Sequence, residues 1–523
     1  MNKFYRIIFA CALLFVFARL ELYAQTENNI QIVYIPDTNF KSALLNNGEI
    51  NLNCDNEIDV FEAENYNGAL NISSLQIESL TGINFFKNIT SLDCSWNYIA
   101  EIHLEEATNL SSLTCGNNGL RFLNTKNNSH LKYLDCTSNI INELNLNDSL
   151  VIICCAGNQL TSLELSDLGE TTLLNCDRNQ IKEINFSKQK KLQYLSCREN
   201  QIEVIDVSNN INLLKLELAE NNISQLNTTN NKNLYYLVCY NNKLRDLNVE
   251  NNTKLKLLYF NSNKISRINL QNNLKLEELH CFQNQLEELD IKKLNHLKYL
   301  ECSMNHLKQL DVSKNKKLEY ISCNYNLIQE LNVKNCKKLF VLTCANNYIK
   351  FLDLNNNKLL KKLGCNNNIV TNLDLSKNKN LQFVSADFNN ISYLDIQNCT
   401  SLESLSFSYN NVNLIKLSNS KNLVRLNCKK NPLTFIDVSA FLNLEALNCA
   451  ENMLIELDLE KNKKLINLDC SYNKLEFLSI KNNNNINLEI FKTEGNKLLK
   501  TIKVDDANYM EKKWPITGCS YIN

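Results

Sequence analysis

An asparagine recurs on a fixed step. From Asn179 through Asn305 to Asn473 one stands at every twenty-first position, an unbroken register of fifteen. Upstream the register continues through Asn158, Asn139, Asn118 and Asn97 with a single 19-residue step, and downstream a 23-residue step reaches Asn496. A length of 523 residues would ordinarily suggest three or four domains. So regular a period overrides that expectation, because each repeat adds core to one growing stack.

The unit around Asn305 runs from Leu297 to Asn315: Leu-Lys-Tyr-Leu-Glu-Cys-Ser-Met-Asn-His-Leu-Lys-Gln-Leu-Asp-Val-Ser-Lys-Asn. This is the leucine-rich-repeat pattern. Alternation along a strand points Leu300 and Cys302 inward and Tyr299, Glu301 and Ser303 outward. The second half, Leu307 to Val312, copies the apolar spacing within ten or eleven residues, too few for a helix of ordinary length. The fold expected is therefore a mainly β leucine-rich-repeat solenoid of about twenty coils. It carries a parallel sheet on its concave face and short strands or extended turns on the convex side.

The rung asparagine suits a corner where backbone groups cannot reach water, since a carboxamide donates and accepts at once. With 10 Gly and 3 Pro in the chain, asparagine is also expected to supply most turn conformations. Three residues before the rung lies a second column: fifteen of the 21 cysteines, from Cys94 to Cys470, with Leu218, Phe260, Ala386 and Phe407 standing in. Those substitutes show that the slot wants apolar volume, not thiol chemistry. Parallel side chains in one column are wrong for a disulfide torsion, so free buried thiols are expected. Cys54, Cys154, Cys336, Cys399 and Cys519 lie off the column and are where any disulfide would be drawn from. No Cys-x-x-Cys pair occurs and His numbers five, which disfavours zinc and redox sites.

A cysteine column inside a 21-residue repeat followed by Leu310-Asp311-Val312-Ser313-Lys314-Asn315 resembles the cysteine-ladder internalins and the secreted leucine-rich-repeat proteins of Bacteroidetes-type bacteria. The resemblance covers roughly residues 35 to 510. It implies a secreted or cell-surface protein that binds something, without naming the ligand.

Four segments are expected. Residues 1–24 read as a signal peptide, with Lys3 and Arg6 ahead of the apolar run Ile7 to Ala18 and a cleavage site after Ala24. Residues 25–74 cap the array, 75–502 form it, and 503–523 close it. No later stretch is long and apolar enough to be a membrane span. Trp514-Pro515-Ile516-Thr517-Gly518 matches a wall-sorting signal by coincidence, because the apolar segment and basic tail that such a signal needs do not follow it. Within the N-terminal cap, Asn39 to Leu45 reads as a short capped helix. Asn51, Asn53, Asp55, Glu57, Asp59 and Glu62 then align with the oxygen positions of an EF-hand loop. Departures are Asn51 in place of Asp and Asn56 where glycine gives the sharp turn. No cofactor is required by the sequence; calcium in this cap, weak and stabilising, is the one candidate.

Along the outward strand positions most residues are Ser, Thr, Asn, Lys and Glu. Between residues 235 and 325 they change to Tyr236, Tyr240, Tyr259, His280, Phe282, Tyr299 and Tyr320. Tyr133, Tyr194 and Phe383 extend the first column sparsely. Seven rings on consecutive or near-consecutive rungs form a candidate ligand-binding patch, since such rings bury large area with few rotors. The alternative is that they favour strands and pack on one another. A formal charge of −1 lacks the basic footprint of a nucleic-acid binder. The catalytic motifs Gly-x-Ser-x-Gly and His-Glu-x-x-His are absent, and no enzyme activity is expected. The sequence thus points to a secreted or surface recognition protein, adhesin-like, taking a protein or glycan on its concave face. A structural spacer without a pocket is the alternative.

Overall fold

A computed structural model describes residues 31–523 apart from 166, 167, 416, 418 and 419; the signal-peptide reading of residues 1–24 falls outside the described residues. Two compact units divide at Leu213/Leu214. Each is a parallel β-solenoid.

Every coil follows one plan, and that of Tyr299 is representative. Tyr299–Glu301 is a three-residue strand whose central Leu300 is fully buried. It pairs in parallel with the next coil, Tyr299 opposite Tyr320 and Glu301 opposite Ser322, so the sequence period is the sheet register. Cys302 follows, buried, its N–H donating to Ser322 O at 2.8 Å. Then the chain turns. Asn305 Nδ2 donates to Cys281 O at 3.0 Å and Cys302 O at 3.2 Å, while its Oδ1 accepts from Leu286 N at 2.9 Å. One side chain thereby ties its own coil to the coil before it.

The left-handed turn residue is the one before the rung, not the asparagine. Met304 has φ 53°, Tyr325 φ 53° and Phe388 φ 54°, and the same position is left-handed in the other coils whatever its side chain. The expectation that asparagine supplies most turn conformations is corrected here. A branched or aromatic residue held left-handed costs about 1–2 kcal/mol. The ladder over-determines it, since Met304 N donates to Asn324 O at 2.8 Å.

The second half of the coil is extended. It forms strands only in places, such as Asn372–Asp374 against Tyr393–Asp395. Asp311 then organises the return turn, its Oδ1 accepting from Ser313 N at 2.9 Å. Leu297, Leu300, Leu307, Leu310 and Val312 are all buried, and each contributes about 1.5–3 kcal/mol.

Among the described residues α-helices occur only near the ends: α1 (Thr38–Leu45), α2 (Val60–Asn65) and α3 (Ala507–Lys513). Asp37 caps α1, accepting from Asn39 N and Phe40 N. Past α3, strand Ser520–Ile522 pairs with Thr501–Lys503, continuing the ladder to the last residues. All described cysteines are free, and Cys336 and Cys399 are buried.

Candidate ligand-binding face

The seven candidate residues all lie in the larger unit and on the solvent side of its strand sheet. Register sorts them into columns. Tyr236, Leu257, Glu278, Tyr299 and Tyr320 occupy one; Val238, Tyr259, His280, Glu301 and Ser322 occupy the next. Tyr240 and Phe282 stand in a third column, after the cysteine slot, on rungs separated by that of Asn261. Each of the seven is half-buried.

Three contacts organise the strip. Tyr259 and His280 pack with ring centroids 4.1 Å apart, and Tyr299 and Tyr320 at 6.3 Å. Lys215 Nζ lies 4.5 Å from the centroid of Tyr236. Two pairs of the rings thus pack on one another along the strip. Burial lowers the His280 pKa against the pull of Glu301 and Glu278, favouring the neutral imidazole. Burial, then the hydrogen bond to Glu278, raises the Tyr259 phenol, which donates to Glu278 Oε2 at 2.5 Å.

The sequence reading pointed Glu301 outward but left it and the neighbouring carboxylates out of the patch. Glu217 pairs with Lys215 at 2.5 Å, and Glu301 accepts from Ser303 Oγ at 2.7 Å and Tyr320 OH at 3.2 Å. From Ser303 a polar rail continues: Ser322 Oγ lies 2.9 Å away, and Asn324 Nδ2 donates to Ser322 Oγ at 3.1 Å and to Thr343 Oγ1 at 3.0 Å. Stepping the tyrosine positions by 21 residues would have found these groups. Also missed were exposed aromatics at the left-handed position, where Phe388 stacks on Tyr409 at 4.3 Å under Lys430. A separate cavity of about 840 Å³ lies at the second halves of the coils, lined by Tyr348, Phe351 and Ile369.

Thiol chemistry is not available to this face. Cys239 is pushed up to about 12 by burial, and the Cys281 and Cys302 thiols rise further for the same reason. Such groups stay protonated and inert.

In the N-terminal cap the calcium candidates are committed elsewhere. Glu62 Oε1 accepts from Leu52 N at 2.8 Å and Asn53 N at 3.3 Å, and Oε2 from Asp59 N at 3.1 Å. Asp55 accepts from Asn53 Nδ2 and Glu57 N, Asp59 from Glu62 N, and Glu57 holds Lys41 at 2.7 Å. Only the Oδ1 of Asn51, among these side chains, is buried without a partner. Among the described residues no three carboxylates, thiols or imidazoles gather round one point. As placed, several of these oxygens already accept hydrogen bonds within the loop, with which a bound calcium would have to compete.

No protein-family model matches the chain, and no curated protein sequence matches it. Solved structures do. The functional domain of InlJ from Listeria monocytogenes, described as including a cysteine ladder, is 28% identical over 72% of this chain and 79% of its own, with a TM-score of 0.60. The chain is a leucine-rich-repeat solenoid similar to that internalin. Its own column from Cys94 to Cys470 is likewise a cysteine ladder. A TDR receptor is 18% identical to this internalin-like chain, over 85% of it and 90% of the receptor, with a TM-score of 0.68. The Arabidopsis receptor kinase HAESA, solved with the peptide hormone IDA and the co-receptor SERK1, is 21% identical over 87% and 89%, with a TM-score of 0.61. At those identities the receptors share the fold.

Proposed function

We propose that this is an exported recognition protein that holds a segment of a partner protein on the strand face of its larger unit. The observation that carries the reading is the strip from Tyr236 to Tyr320, where half-buried rings and oriented carboxylates replace the small polar residues found on most rungs. Rings fixed by their neighbours lose little entropy on binding. The HAESA structure, with a peptide hormone bound, supports a peptide or protein occupant. The internalin likeness supports a surface or secreted setting, and no described helix is long and apolar enough to cross a membrane. Adhesion to a host or neighbouring cell would be this activity at a surface.

The test is a screen of the purified chain against arrays of extracellular proteins, peptides and glycans, repeated with Tyr236, Tyr299 and Tyr320 changed together to serine. We expect protein or peptide hits that the triple variant loses while its circular-dichroism melt moves by only a few degrees. Hits that survive the substitutions would remove this face from the function. Capture of glycans alone would replace the protein ligand, and a blank array would favour a spacer.

A further inference from the structure

The strip contains its own example of what it can bind. Lys215 places its ammonium 4.5 Å from the Tyr236 centroid and 2.5 Å from a Glu217 oxygen. This is a cation held by a ring face and a carboxylate together. Glu217 stands in the second outward column and Tyr236 in the first, one rung on. The same relation recurs four coils later, where Glu301 stands in the second column and Tyr320 in the first, one rung on.

At that second place the position of Lys215 is taken by Tyr299. A second ring replaces the internal cation, and the two rings lie 6.3 Å apart with planes inclined by 30°. Glu301 is held beside them by Ser303 Oγ at 2.7 Å and by the Tyr320 hydroxyl at 3.2 Å. Among the described residues no Lys or Arg reaches within salt-bridge distance of Glu301, and nearby Lys298 is engaged by Glu277 at 2.7 Å. The outward positions of the strands and cysteine-following residues from Tyr236 to Ala345 carry Glu278 and Glu301 but no Lys or Arg.

Resting on the proposed recognition role, we propose that Tyr299, Glu301 and Tyr320 form a socket for a basic side chain, Lys or Arg, presented by an extended segment of the partner protein. The incoming cation makes the same kinds of contact, with a ring face and a carboxylate, that Lys215 makes four coils earlier. A guanidinium fits best, since its plane lies along a ring while its N–H groups reach the carboxylate.

The probes are fluorescein-labelled hexa-arginine and hexa-citrulline, which share length and a planar head group but differ in charge, titrated into the full chain by anisotropy at physiological salt. Hexa-arginine is expected to bind at least tenfold tighter. Glu301→Gln should weaken hexa-arginine about tenfold, the size of one charge-assisted contact. Glu456→Gln, an exposed carboxylate on the other half of a coil, should leave it unchanged. Tyr299→Phe should retain binding and Tyr299→Leu should lose several-fold, because only the former keeps a ring face. Equal affinity for the two peptides, no binding of either, or an inert Glu301→Gln would overturn the socket. If array hits still depend on the tyrosines after such a result, the recognition role stands without it; if none do, both fall.

Discussion

A buried carboxamide is stable only where both its ends find partners, and the chain contains columns that differ in this respect. At the rung, Asn305 satisfies donor and acceptor. In a second column near the return turn, Asn273 is fully buried, and its Nδ2 donates to Val249 O at 2.9 Å and Asn252 O at 3.0 Å. Its Oδ1 accepts nothing; the same holds at Asn315, Asn357, Asn378 and Asn462. Asn252 escapes because Thr228 stands where neighbouring coils have an apolar residue, and its hydroxyl donates to Asn252 Oδ1 at 2.8 Å. Val249 holds the equivalent position relative to Asn273. Val249→Thr should therefore raise stability by about 1 kcal/mol, the gain from satisfying a buried acceptor less the burial of one methyl. Thr228→Val should lower it by a similar amount. Paired thermal melts check the opposite signs, and shifts in the same direction would discard the account.

Among the elements, the N-terminal cap has the oxygen spacing of a metal site together with hydrogen bonds inside the loop on several of those oxygens. Glu62 sits at N3 of α2 and forms a capping box with Asp59, while also holding the amides of Leu52 and Asn53. These hydrogen bonds compete for the same lone pairs that calcium would need. Adding calcium or a chelator should leave the melt unchanged within about a degree, whereas Glu62→Ala should cost about 2 kcal/mol by removing the shared acceptor of the Leu52, Asn53 and Asp59 amides. A calcium-dependent rise in melting temperature would restore the metal reading. The cap also marks where sequence reasoning ran out. Residue types and spacing located every oxygen from Asn51 to Glu62 but could not show that backbone N–H groups from the loop itself reach them first. For the array the reverse held. Leu300, Cys302 and Asn305 repeat on the step that the sheet uses as its register, so coil, core and outward columns were legible from the chain. The left-handed residue was not, because Met304, Tyr325 and Phe388 share no chemistry; their conformation comes from hydrogen bonds to the next coil.

At the scale of a whole solenoid unit, stability is distributed coil by coil. Each repeat contacts chiefly its neighbours, so a local defect is felt over nearest-neighbour distances first. Asn305 lies deep in the larger unit and joins two consecutive coils through Cys281, Leu286 and Cys302. Asn305→Leu keeps much of the volume but leaves Leu286 N and the Cys281 and Cys302 carbonyls without this partner, at about 1–3 kcal/mol per unsatisfied group. Hydrogen exchange followed by mass spectrometry should show faster exchange between residues 281 and 326, fading within two or three coils on either side. The amides around α3 should keep their protection. The strip from Tyr236 to Tyr320 overlaps the weakened coils, so ligand capture should fall with them even though no binding side chain was changed. Uniform loss of protection across the unit would mean that the coils unfold as one block. In that case the rung asparagine would set the cooperativity of the whole stack and not the strength of one joint.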